Sequence, residues 1–106
     1  MEQKYTLSQL TSEIKDVLLE AFPTTVWLVA EISELKDNRS GHCYLELIEK
    51  DGNEIVARAR ATIWSYTYRM LKPYCETTTG QQFTFGIKIL VKAAIEFHPA
   101  FGFSLN

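Results

Sequence analysis

Between residues 57 and 64 the chain reads ARARATIW, and this run carries the most suggestive chemistry in the sequence. Successive side chains on a strand point to opposite faces, so Arg58, Arg60, Thr62 and Trp64 share one face. Ile55, Ala57, Ala59, Ala61 and Ile63 share the other. Upstream, Tyr44 stands on the polar side of a second alternating run, and Lys36 and Arg39 flank it from a short charged loop. Guanidinium and ammonium groups neutralise phosphate, and aromatic rings stack on bases; interleaved, they suit single-stranded nucleic acid. His42 fits either a base-stacking contact or a hydrogen bond that fixes the loop. Reaction chemistry has weaker footing. The sequence offers no carboxylate cluster, activated Ser or Cys, phosphate loop or metal-ligand spacing. We therefore expect no catalytic residue, metal ligand or cofactor in this chain. Cys43 and Cys75 form no CxxC pair, and Cys43 reads as a buried, reduced thiol.

Three strand-like runs between Trp27 and Trp64 must position these groups. The loop 36–41 joins the first two, and 50–53, with its Asp51-Gly52 hairpin signal, joins the second and third. In the second run Cys43, Leu45 and Leu47 face the core, opposite His42, Tyr44 and Glu46. The first run, about Thr25 to Leu35, alternates Val26, Leu28, Ala30 and Ile32 with Trp27, Val29, Glu31 and Ser33. Its start is apolar on both sides, so Trp27 is read as core with a helix as its cover, in preference to a base-stacking ring. The small alanines of the third run suit a tightly curved sheet.

Around this segment the periodicity changes twice. Residues 6–22 read as an amphipathic helix, with Thr6 and Gln9 as its capping box and Pro23 as its stop. After Trp64, the spacing of Tyr68, Leu71 and Cys75 predicts a second helix, with Ser65 as N-cap and Pro73 making its second half irregular. The polar run 77–82 reads as a loop. Residues 83–97 read as one long strand, with Ile87, Ile89, Val91, Ala93 and Ile95 facing Lys88, Lys92 and Glu96 across it. His98-Pro99 begins a turn, and a last strand starts at Phe103. The expected core holds Leu10, Ile14, Val17, Leu28, Ala30, Ile32, Leu45, Leu47, Ala59, Ile63, Ile89 and Val91.

Size and composition set bounds. A chain of 106 residues is one domain, and 46% hydrophobic content supplies a core. No apolar run approaches the roughly 20 residues that span a bilayer, and no signal-peptide segment opens the chain, so a cytoplasmic protein is expected. The net charge of −2 argues against phosphate binding. Its distribution argues the other way. Residues 1–57 hold five Lys/Arg against eleven Asp/Glu, whereas residues 58–92 hold six against Glu76 alone.

Glu31-Ile32-Ser33, Leu35, Ser40-Gly41-His42, Tyr44 and Leu47 carry a resemblance, preceded by Ala21-Phe22-Pro23 and Val26-Trp27. The chain resembles the N-terminal domain of exodeoxyribonuclease VII large subunits over roughly its whole length. The resemblance implies a five-stranded antiparallel oligonucleotide-binding (OB) barrel, with one helix ahead of it and one between strands three and four. The expected division is 1–24 for a helix packed on the barrel and 25–106 for the barrel, its last strand cut short. The loops 36–41 and 98–102 would grip ligand. Lys36, Arg39, Tyr44, Arg58, Arg60 and Trp64 would contact single-stranded DNA, with Phe101 and Phe103 at the edge. The implied partners are single-stranded DNA, a downstream catalytic region and the exodeoxyribonuclease VII small subunit. Members often carry glycine and a basic residue where this chain has Ala93 and Ala94, which removes one expected phosphate contact. An OB module that only docks the catalytic region or a partner subunit is the alternative.

Overall fold

The hydroxyl of Thr6 accepts the Gln9 amide at 3.1 Å, and the Gln9 side chain accepts the Thr6 amide at 2.9 Å. This reciprocal cap starts α1 (Leu7–Ala21), and Phe22 and Pro23 follow its end. In the computed structural model, which describes residues 4–79 and 84–106 without the side chains of 74, 75 and 77–79, the remaining elements follow in order. They are β1 (Val26–Asp37), β2 (Cys43–Asp51), β3 (Glu54–Ile63), α2 (Ser65–Thr79), β4 (Lys88–Ala93), β5 (Ile95–His98) and β6 (Gly102–Leu105). The fold is mainly β: a curled half-barrel sheet with two helices.

The expected five antiparallel strands are corrected to six of mixed orientation, in the order β4-β1-β2-β3-β6-β5. β6 runs parallel to β3, through Ala61 opposite Leu105. The extra strand arises because the single run expected over 83–97 breaks at Ala94. β4 pairs with β1 and β5 with β6, so one segment serves both ends of the sheet. Ala94 itself exchanges two hydrogen bonds with Asn106, at 3.1 and 3.0 Å. The sheet therefore curls until its two outermost strands are consecutive in the chain.

Two bulges set which side chains face inward. Ile32 pairs with Leu47 and Glu34 with Glu46, leaving Ser33 as the extra residue of β1. Ile32 and Leu35 thereby both face the core, and Lys36 comes out on the same face as Tyr44. In β3 the extra residue is Val56, because Lys50 pairs with Ile55 and Glu49 with Ala57. Ile55, expected on the core face with the alanines, is turned by this bulge to the outer face. The hairpin turn places Gly52 first, at φ 62°, where a side chain would be strained.

The core gathers Ile32, Cys43, Leu45, Leu47, Ala61, Tyr68, Ala93 and Leu105, with Leu28, Ala30, Ala59, Ile63 and Ile89 packed against it. Other expectations fail. Leu10, Ile14 and Val17 are exposed, because α1 packs chiefly along the short β5 and buries no residue fully. Trp27 is 66% exposed, and α1, packed chiefly along β5, does not cover it. α2 continues through Pro73 to Thr79, although proline can give no amide hydrogen to the turn before it. Cys75 and Phe83, read as a helix-face residue and a strand start, lie outside the described side chains and residues.

Leu47 is 4% exposed at the centre of this core. Leu47→Ala should cost about 2–5 kcal/mol, and thermal denaturation should show a melting temperature at least roughly 8 °C lower. Leu7→Ala, on the uncovered stripe of α1, should stay within about 0.5 kcal/mol of the parent protein.

Candidate nucleic-acid interface

The outer face of the sheet is laid out in rungs fixed by strand register. The first is Lys36–Tyr44–Thr62 and the second Glu34–Glu46–Arg60. The third spans four strands: Lys88–Glu31–Ile48–Arg58. The loop 38–42, between β1 and β2, stands beyond the first rung, and Trp64 follows the end of β3 there.

That loop is braced by its own polar groups. Asn38 Oδ1 accepts the His42 amide at 2.9 Å, while Asn38 Nδ2 donates to the Tyr44 hydroxyl at 3.1 Å. The same ladder end holds the Asn38 amide on the His42 carbonyl and the Gly41 amide on the Asn38 carbonyl. Gly41 has φ 87°, and a β-carbon there would sit 3.3 Å from that of Ser65. Loop and helix thus meet closely here, and a side chain would need both a strained backbone and a small shift of Ser65.

His42 takes the hydrogen-bonding role of the two open to it. Its Nδ1 accepts the Ser65 amide at 2.9 Å, satisfying one of the free donors of the first turn of α2. The helix starts at Ser65, so the capping position expected for Ser65 falls on Trp64, whose carbonyl accepts the Tyr68 amide. The imidazole also meets the Trp64 ring edge-on, at 4.9 Å and 87°.

One layer inward, the Tyr68 hydroxyl donates to Asp37 Oδ1 at 2.8 Å and ties the end of β1 to α2. Burial, and then this bond, push the Tyr68 hydroxyl well above its usual value of 10.0. Burial likewise pushes the Cys43 thiol up from 9.0, which keeps it a thiol rather than a nucleophile.

The second loop, 99–101, belongs to the β5–β6 hairpin and reaches the same face through Arg60. The Arg60 guanidinium donates to the Phe101 carbonyl at 3.0 Å. Phe101 stacks on His98 at 4.5 Å and remains 74% exposed. The structure thus brings Lys36, Tyr44, Trp64, Arg60 and Phe101 to one rim, with Arg39 in the loop above it. Arg58 lies one rung further away, its Nε 3.4 Å from Glu46. Phe103 departs from the group. It shares a strand face with buried Leu105 and lines the apolar mouth of the barrel with Leu28, Ile95 and Phe97, where Arg58 also borders it.

Electrostatics divide this face. Glu34 and Glu46 sit directly across from each other in the second rung. Glu46 is held by the Ser33 hydroxyl at 2.8 Å as well as by Arg58. The cations at the loop end are therefore separated from Arg58 by carboxylates, and phosphate is favoured at the rim rather than mid-sheet. Among the described residues no three His, Cys, Asp or Glu gather as a metal site would require, and no helix is long and apolar enough to cross a membrane. Reading the sequence missed Asn38, Ser33 and Tyr68. The spacing of three between Ile32 and Leu35 was the available sign of the Ser33 bulge.

Two outcomes are expected. A hydroxyl whose pKa is raised in the fold contributes stability fully below the unfolded value, and that contribution is lost as pH rises past it. Stability should fall above about pH 10, and Tyr68→Phe should flatten that decline in urea titrations across the alkaline range. Arg60→Ala should release the 99–101 loop, seen as faster amide exchange at Ala100, with the melting temperature nearly unchanged.

The comparisons agree with this geometry. The family described as an OB-fold nucleic acid binding domain matches residues 5–106. The exodeoxyribonuclease 7 large subunit of Deinococcus radiodurans is 34% identical over 111 residues, covering 99% of this chain and 26% of that protein. The chain thus spans about a quarter of the length of that relative. With a family match over nearly its whole length and a curled sheet bearing cations and rings at its loop end, the chain belongs to the OB-fold nucleic acid binding domains.

Proposed function

We propose that this chain is the single-stranded-DNA-holding domain of an exodeoxyribonuclease VII large subunit. It presents substrate to a nuclease region outside these residues. One observation carries the reading: Tyr44, Trp64 and Phe101 stand exposed along one rim, with Lys36 and Arg39 beside them and both loops tied down. Fixed rings bind bases without paying again for order at each contact, and the flanking cations follow the phosphates. No step of hydrolysis is assigned to this chain, and no cofactor is assigned to it. The nuclease region and the small subunit are its proposed partners, and the cytoplasm its proposed compartment.

A second reading rests on a different observation. The apolar stripe of α1, with Leu7 and Val17, is uncovered. A domain that docks the catalytic region or a partner subunit would use such a stripe, without touching DNA.

Fluorescence anisotropy with a labelled single-stranded oligonucleotide, at low and high salt, separates the two. Trp64→Ala should weaken binding by about 1–3 kcal/mol at every salt concentration. Lys36→Ala and Arg39→Ala should each lower the salt slope by about 0.7. Binding by all three variants equal to that of the parent would leave the docking reading standing.

A further inference from the structure

At the far end of the outer face, β1 and β4 carry a ring and two cations that the loop-end site does not use. Trp27 pairs with Lys92, Val29 with Leu90, and Glu31 with Lys88. Trp27, Val29 and Leu90 are 66%, 64% and 63% exposed. Lys92 Nζ lies 5.3 Å from the centre of the Trp27 ring, yet most of that ring stays open. Lys88 and Lys92 share the outer face of β4 at a spacing of four, about 13 Å at the strand rise.

Charge sets this patch apart from the middle of the face. Arg58 is held by Glu46 and Lys50 by Glu31, whereas neither Lys88 nor Lys92 is held by a carboxylate among the described residues. Glu31, the one carboxylate in these three pairs, is already engaged with Lys50 at 3.6 Å. The patch thus joins a largely open ring, the Lys92 ammonium beside that ring, the Lys88 ammonium without a carboxylate partner among the described residues, and two aliphatic side chains level with the ring.

We propose that Trp27, Lys88 and Lys92, floored by Val29 and Leu90, form a second contact site for single-stranded nucleic acid. There a base stacks on Trp27 and phosphates meet the two lysines. The inference rests on the proposed function, because it extends the strand held at the loop end. Trp27 and Lys36 are nine residues apart on β1, roughly 30 Å, so only an oligonucleotide long enough to bridge that distance engages both. A protein partner fits the patch less well. Lysine is depleted in protein interfaces, and here two lysines alternate with the single leucine on β4.

The test uses the 106-residue chain and oligothymidylates of about 4 and about 16 nucleotides, the range that single OB folds cover. Trp27→Ala should weaken the long oligonucleotide about fivefold to a hundredfold. It should leave the short one within about twofold, and Trp27→Phe should restore most of the loss. Lys88→Ala with Lys92→Ala should lower the salt slope for the long oligonucleotide by about 1.4. In Trp64→Phe, Trp27 is the sole tryptophan, and its fluorescence should be quenched as the long oligonucleotide saturates. If Trp27→Ala binds the long oligonucleotide like the parent while Lys36→Ala weakens it, the second site is overturned and the loop-end reading stands. If neither variant changes binding, both fall. If Trp27→Ala lowers only the self-associated mass of the chain, the patch is a protein interface and the proposal is overturned.

Discussion

One extra residue in β1 decides what this surface can be. Without the bulge at Ser33, strict alternation from Leu28, Ala30 and Ile32 would turn Lys36 inward, into an apolar core. Burying an ammonium group there without a partner would cost several kcal/mol. With Ser33 looped out, Leu35 takes the inward place, and Lys36 stands beside Tyr44. The hydroxyl of Ser33 bonds across to both the Glu46 carbonyl and its carboxylate, at 3.2 and 2.8 Å. The bulge is thus held by the neighbouring strand, and the register of the whole loop end follows from it.

From that register the support of the rim can be traced inward. Asn38 orients the Tyr44 hydroxyl, His42 caps α2 and borders Trp64, and Tyr68 bonds Asp37 beneath them. Each ring at the rim therefore rests on a group that is itself bonded. On the proposed reading, binding energy would go less to ordering side chains and more to stacking. Arg60 is the exception among the cations. Its guanidinium is spent on the Phe101 carbonyl, so it acts first as a strut for the second loop.

Much of this was legible from residue types alone. The capping box, the Asp51-Gly52 hairpin, the inward set Cys43, Leu45 and Leu47, and the rungs joining Tyr44 to the basic face all follow from local rules. What alternation could not supply were its own interruptions. Bulges at Ser33 and Val56 each shift the facing by one residue, and only the partner strand fixes where they fall. The break at Ala94 is of the same kind, since an unbroken apolar alternation runs from Ile87 to Ile95. Helical periodicity correctly located α1 but assigned it a core to face, and periodicity states only that one side is apolar. Trp27 was misread for that reason: its expected cover lies along β5 instead.

The segregation of charge along the sequence has its answer in the pairing. Antiparallel pairing lays the acidic β2 against the basic β3, so Glu46 meets Arg58 and Arg60. Of the six cations read from residues 58–92, Arg58 is thereby matched by a carboxylate, and Arg60 stands across from the same one. β4 escapes because its neighbour is the first half of β1, where Glu31 is the sole carboxylate among Val26, Trp27, Leu28, Val29 and Ala30. The unmatched positive charge of this sheet face therefore sits in two places, the loop rim and the Trp27 end, with carboxylates between them. A single strand lying along β1 would meet cations at its ends and acids at its middle. Its hold on the protein would depend more on rings, and less on salt, than a uniformly basic groove would require.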